Sequence, residues 1–187
     1  RIGVTYFTIT MYSPLRLNLA PLLVTSLIIV SGPSTHPTIM QVEIATIGIM
    51  IMLLIFYFSA DTATASDAKS SFIVDHLYPL VQGMLSVDTF TFLIRKTAHF
   101  SIYAALGFCV FHFVSLRSRS WKQACWITIF FCFCYACSDE FHQLLSDGRS
   151  GQFSDVLLDT CGSMAGSLFA RMLDLLIQKT RKREKTG

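Results

Sequence analysis

Tyr135–Gly166, YACSDEFHQLLSDGRSGQFSDVLLDTCGSMAG, sets Asp139, Glu140, His142, Asp147, Arg149, Asp155 and Asp159 between and inside two strongly apolar segments. An ionisable side chain at membrane depth costs on the order of 2.5–3.5 kcal/mol at a helix centre on insertion scales. A chain that needed only an anchor would avoid such residues. Clustered here, they mark a buried or half-buried polar site.

The rest of the chain supports a membrane setting. It has 187 residues, of which 52% are hydrophobic and 14% charged, and its mean hydropathy is +0.53. Soluble domains carry about 25% charge, so this balance argues for a polytopic membrane protein. Val42–Phe58, His99–Leu116 and Trp121–Cys137 read as spans. Asp155–Ile177 reads as a fourth, although it carries Asp155, Asp159, Arg171 and Asp174. A span needs about 20 mainly apolar residues, and in lipid its backbone must satisfy its own hydrogen bonds, which makes it helical. The expected fold is an all-α membrane protein, a four-helix transmembrane bundle with an extra N-terminal hydrophobic segment, Leu17–Val30, that fits the pattern poorly. Residues 1–40 read as an N-terminal extension, 41–178 as the transmembrane domain and 179–187 as a basic tail.

Basic residues orient the bundle. Arg117, Arg119 and Lys122 lie between the second and third spans, and Lys179, Arg181, Lys182, Arg183 and Lys185 follow the fourth. With four spans both groups fall on one side, which the positive-inside rule makes cytoplasmic. The loops Ser59–Ala98 and Ser138–Ser154, with the acidic cluster, then face outside a cell membrane. Leu17–Val30 as a further span would break this rule. The chain opens on Arg1, which reads as a fragment or a mis-called start, and Met40, the methionine just before the first good span, is the expected alternative start. No signal-peptide pattern stands out. The six cysteines all lie in apolar segments and read as packing residues. Nothing suggests nucleic-acid binding: the basic tail is short and lacks interleaved aromatics.

Arg95, His99 and Tyr103 recur every four residues and share a helix face, with Lys96 beside them. They are expected to open the second span. Asp139 reaches His142 and Gln143 at three and four residues, and Glu140 reaches Gln143. A carboxylate beside an imidazole fixes its tautomer and makes a general acid/base pair. The same group could ligate a metal, but the spacing is not that of His-Glu-x-x-His, and no metal or cofactor is assigned from it. In Asp147–Asp155, DGRSGQFSD, two turns flank Arg149, whose guanidinium can clamp a phosphate or carboxylate in a bidentate way. Ser154 is the expected N-cap of the fourth helix. On that helix Asp155, Asp159, Gly162 and Gly166 share one face. The carboxylates need cationic partners, for which Arg149, Arg95 and Lys96 are the candidates. Gly162-Ser-Met-Ala-Gly166 is a small-xxx-small pattern for close helix packing, and beside Asp159 it predicts a neighbouring helix that supplies the partner.

Arg-Lys-x-x-His-Phe-x-x-Tyr (Arg95–Tyr103), Asp-Glu-Phe-His-Gln (Asp139–Gln143), Gly-Arg-Ser-Gly (Gly148–Gly151) and Asp-x-x-x-Asp-x-x-Gly (Asp155–Gly162), in that order, resemble the VanZ-like family of bacterial membrane proteins. Phe56–Ser59, followed by Ser66, Ser70 and Ser71, is similar to the family's first outer segment. The resemblance runs from roughly Ile51 to Ala170, and residues 1–40 match none of it. It implies a multi-pass cell-envelope protein. The founding member is associated with resistance to teicoplanin, and no established reaction is implied. On this reading Arg95, Lys96 and Arg149 grip the phosphate of a membrane lipid or lipid-linked glycan at the outer leaflet. Asp139, Asp155 and Asp159 position those cations and meet sugar hydroxyls, with His99, Tyr103 and Gln143 in the same site. The alternatives are an intramembrane enzyme acting on such a lipid, with Glu140 or His142 as general acid/base, and a structural lock of the bundle.

Overall fold

The computed structural model describes residues 37–60, 63–146 and 151–184. Arg1 and Leu17–Val30 lie outside them, as do Asp147, Arg149 and Lys185. The described residues form five α-helices: α1 Pro37–Ser59, α2 Ala63–Leu77, α3 Val87–Ser115, α4 Trp121–Gln143 and α5 Phe153–Glu184. A 3-10 turn, Tyr78–Leu80, follows α2. Gly83, at φ 92°, then turns the chain through a conformation that costs glycine little. The protein is all-α, and α1, α3 and α4 are long and apolar enough to cross a membrane. Helix α5, at 32 residues, spans about 48 Å and lies in the same bundle against α3 and α4.

Helix directions follow from which ends meet. Arg117, just past the end of α3, donates to Gln41 Oε1 at the start of α1 at 3.2 Å. Ser59, at the end of α1, donates to Asp139 near the end of α4. Tyr135 OH donates to Met52 O at 2.6 Å in the same half. Helices α1 and α4 are therefore parallel, and α3 runs against both. Lys96 meets Asp155 and His112 meets Asp174, so α5 runs with α3.

Two apolar clusters fill the interior. Ile55, Tyr103, Leu106, Cys132, Ala136 and Val156 form one; Phe111, Ala124, Cys125 and Ala170 form the other. Large side chains such as Trp126, Phe130, Leu157 and Met172 point outward, while Thr128, Ser163 and Ser167 are fully buried. This is the distribution expected where the solvent is hydrocarbon, since burial against a neighbour helix then gains little over burial in lipid. Small residues and close approach take its place. A Cβ on Gly166 would fall 1.9 Å from Ala104 O, one on Gly162 2.4 Å from Phe100 O, and one on Gly107 2.2 Å from Ser163 O. The predicted close neighbour of the Gly162–Gly166 face is thus α3. The hydroxyls of Thr160, Ser163 and Ser167 bond back to Val156 O, Thr160 O and Ser163 O within α5, which leaves that face smooth.

Helix boundaries depart from the expected ones. Helix α3 begins at Val87, twelve residues before the expected start at His99. Its N-cap is Ser86, whose hydroxyl accepts from Thr89 N at 3.3 Å. Arg95 and Lys96 broke the apolar run but not the helix, because Asp155 faces Lys96 across the seam. The expected outer loop Ser59–Ala98 accordingly contains α2 and the first turns of α3. Helix α4 runs to Gln143 rather than Cys137, so Asp139, Glu140, His142 and Gln143 are in the helix, not after it. It opens at Ser120, whose hydroxyl caps Gln123 N at 3.2 Å while Gln123 Oε1 accepts from Arg119 N. Ser154 is not the cap of α5: it lies in the first turn, and its hydroxyl meets Gln152 Oε1 and Asp155 Oδ1. The basic tail is helical to Glu184, because Lys and Arg are good helix formers and favour the negative end of the helix dipole.

Gly166→Ala is expected to cost about 1–3 kcal/mol of stability, the usual range for overpacking. Gly48→Ala, whose added carbon meets only Cys109 Cβ at 3.6 Å, is expected to raise stability by up to about 1 kcal/mol, the helix-propensity gain of Ala over Gly. Thermal unfolding in detergent compares them, and equal midpoints would disprove the tightness of the seam.

Candidate functional site

The register set by the glycines decides which polar side chains of α3 and α5 face each other. Along the seam Lys96 pairs with Asp155. His99 Nδ1 lies 3.6 Å from Asp159 Oδ1, and His112 Nδ1 lies 3.9 Å from Asp174 Oδ1. Arg171 stands 5.8 Å from the Trp121 ring. All four charges of the fourth apolar segment therefore have a neighbour of complementary character. This answers how so charged a helix fits the bundle.

The polar site is centred on His99 and Asp159. Asp159 is 0% exposed, and both of its carboxylate oxygens lack a hydrogen-bond partner among the described residues. The His99 side chain is 31% exposed, so the pair is reached from its edge. Asp139 of α4 comes to the same place, its Oδ1 accepting from the Ser59 hydroxyl and its Oδ2 from Gln143 Nε2 at 3.4 Å. One donor atom from each of His99, Asp139 and Asp159 lies within 4.8 Å of the other two. Tyr103, one turn beyond His99 on the same face, is fully buried with its hydroxyl toward the Asp139 carboxylate, yet among the described residues it completes no hydrogen bond of normal geometry. Native interiors leave few buried polar atoms unpaired, and each one calls for an explanation. Four such atoms gather here: His99 Nδ1, Tyr103 OH and both Asp159 oxygens.

Around this centre the other expected residues divide. Lys96 lies a turn nearer the end of the bundle, half-buried with Asp155 and 5.1 Å above the Phe92 ring. Arg95 is its half-buried chain neighbour on α3. Glu140 is buried and turned to the following loop, where its Oε2 accepts from Gln152 N at 2.9 Å. The loop lies close beneath it, since a Cβ on Gly151 would come within 2.8 Å of Glu140 O. Ser146 donates to Ser59 O at 3.1 Å and ties the same loop to α1. Gln143 meets Asp139 as its spacing predicts, but His142 does not. His142 stacks on Phe56 with ring centroids 4.3 Å apart, because its position on α4 faces α1. The imidazole beside a carboxylate is instead His99. Helix spacing within α4 could not reveal this, because the partner lies on another helix. Ser59 was not read as a site residue, and its only signal was its place in the family-like Phe56–Ser59 segment. His99 as the partner of Asp159 was also missed, although Lys96/His99 and Asp155/Asp159 repeat almost the same interval.

The model of the VanZ/LLP1 family matches residues 44–175. The chain belongs to the VanZ/LLP1 family. The match takes in α1 from Ile44, all of α2, α3 and α4, and α5 as far as Leu175, and the four motifs that carried the resemblance all fall inside it. No curated protein and no solved structure matches the chain. A membrane protein of the VanZ kind is thus shown.

Glu140→Gln keeps an acceptor oxygen but removes the charge that strengthens the bond to Gln152 N, a change of about 1 kcal/mol. Hydrogen exchange at Gln152 is expected to quicken by roughly fivefold, the equivalent of that energy. Unchanged exchange there would sever Glu140 from the loop.

Proposed function

We propose that the protein is a multi-pass cell-membrane protein that binds the anionic head of a membrane lipid or lipid-linked glycan. The observation that carries this reading is the layered character of the site. A part-exposed cationic edge, with Lys96 at 24% and His99 at 31% exposed, stands over a buried floor of Asp139 and Asp159. Lys96 meets phosphate as a point charge, and the floor carboxylates accept hydroxyl protons from a sugar. Arg149, outside the described residues, has the chemistry to clamp the same phosphate in a bidentate way. The groups Arg117–Lys122 and Lys179–Arg183 sit at the opposite end of the bundle from the site. By the positive-inside rule this supports a cytoplasmic C-terminus and an outward-facing site. Teicoplanin tolerance is the phenotype that the family resemblance joins to this reading.

One observation favours a second reading. His99 beside Asp159 is an imidazole–carboxylate pair suited to moving a proton, which an enzyme acting on the same lipid would use. Such an enzyme loses turnover on His99→Gln while it still holds lipid.

The binding test uses the full chain in phosphatidylcholine nanodiscs, with a polyprenyl phosphate or phosphatidylglycerol added in separate arms. Binding of at least one is expected, weakened about tenfold by Lys96→Ala, the equivalent of about 1.4 kcal/mol for a charge-assisted contact. Retention of neither lipid overturns the reading. In a teicoplanin-sensitive Gram-positive host, the wild-type chain is expected to raise tolerance to teicoplanin more than to vancomycin. Asp159→Asn at equal membrane levels is expected not to. No change with a well-expressed wild type removes the tolerance role alone.

A further inference from the structure

We infer that His99, Asp139 and Asp159 form a binding site for one divalent transition-metal ion. The inference goes beyond head-group binding and stands without it. The three donors come from three helices, α3, α4 and α5, so no single-helix motif announces them.

The distances fit shared coordination better than direct bonding. A charge-assisted hydrogen bond brings N and O to about 2.7–2.9 Å. His99 Nδ1 and Asp159 Oδ1 are 3.6 Å apart. Two ligands of one ion, each about 2.0–2.2 Å from it at a tetrahedral angle, lie about 3.4 Å apart. The third donor, from Asp139, completes a set whose members all lie within 4.8 Å of one another.

Asp159 supplies the independent observation. It is fully buried, it points into the cluster, and neither of its oxygens has a hydrogen-bond partner among the described residues. An ionised carboxylate in that state is strongly unfavourable unless a positive charge faces it. Lys96 is already engaged with Asp155, and the His99 imidazole that faces Asp159 stands 3.6 Å off, longer than a hydrogen bond. Asp139 is already oriented: Ser59 and Gln143 take one lone pair on each oxygen. A carboxylate has about four such positions, so capacity for a metal bond remains. Partners of this kind hold metal-binding carboxylates in place in other sites. Three protein donors leave a coordination position open, on the side where His99 is exposed. One imidazole with two carboxylates is the donor mixture of Zn²⁺ or Mn²⁺.

The seam holds its own control. His112 and Asp174 are a second imidazole–carboxylate pair, 3.9 Å apart, and no third donor joins them among the described residues.

The test uses the full chain in detergent, stripped with a chelator and equilibrated with Zn²⁺ alone or Mn²⁺ alone. Bound metal is counted after desalting. One ion per chain and a raised melting temperature are expected. With Mn²⁺ bound, pulsed electron paramagnetic resonance is expected to show coupling to an imidazole nitrogen, and this measurement needs no variant. His99→Gln is expected to abolish the coupling. His99→Gln and Asp159→Asn are each expected to weaken binding at least tenfold, the low end for disturbing a metal's surroundings. His112→Gln is expected to leave stoichiometry and coupling unchanged. Failure of folded wild type to retain either ion overturns the inference, as does bound Mn²⁺ without nitrogen coupling. Loss with His112→Gln equal to that with His99→Gln overturns the assignment to this site.

Discussion

Helices α3 and α5 touch backbone to backbone, and the site depends on that contact. Gly162 and Gly166 lie against Phe100 O and Ala104 O, and Gly107 lies against Ser163 O. Any side chain at these places would separate the helices. Separation would move His99 from Asp159 and Lys96 from Asp155, because both pairs straddle the same seam. In lipid there is little hydrophobic gain to offset a loose fit, so helix association rests on close packing and on polar contacts. The glycines supply the first and the seam pairs the second.

The polar residues are sorted along the seam. At one end Lys96, His99, Asp155 and Asp159 converge with Asp139 from α4. At the other, His112 and Asp174 form an isolated pair near Arg171 and Trp121. The two ends share chemistry but differ in crowding. Among the described residues, only at the first do a third helix's carboxylate and a buried tyrosine hydroxyl join the imidazole and its aspartate.

Ser59, Glu140 and Ser146 fix the surroundings. Ser59 donates to Asp139 and its carbonyl accepts from Ser146, so the end of α1 holds both a site carboxylate and the start of the α4–α5 loop. Glu140 holds the end of that loop through Gln152 N. Side chains from α1 and α4 thereby position the cluster although neither helix carries its histidine.

Membrane character and helical class were legible in the sequence because they follow from apolar length and from the backbone's need for internal hydrogen bonds. The family was legible because its motifs are local strings. The Gly162–Gly166 face announced a close neighbour, since only small residues permit one. The sequence could not say which helix that neighbour was. It also misjudged where α3 begins and α4 ends, because apolar runs stop at charges, whereas helices continue through charges that have partners. Above all, the partner of an ionisable residue can be read from spacing only when both lie on one helix. Asp139 and Gln143 do, and their contact was foreseen. His99 and Asp159 are sixty residues apart, and only the backbone contact of α3 with α5 brings them together.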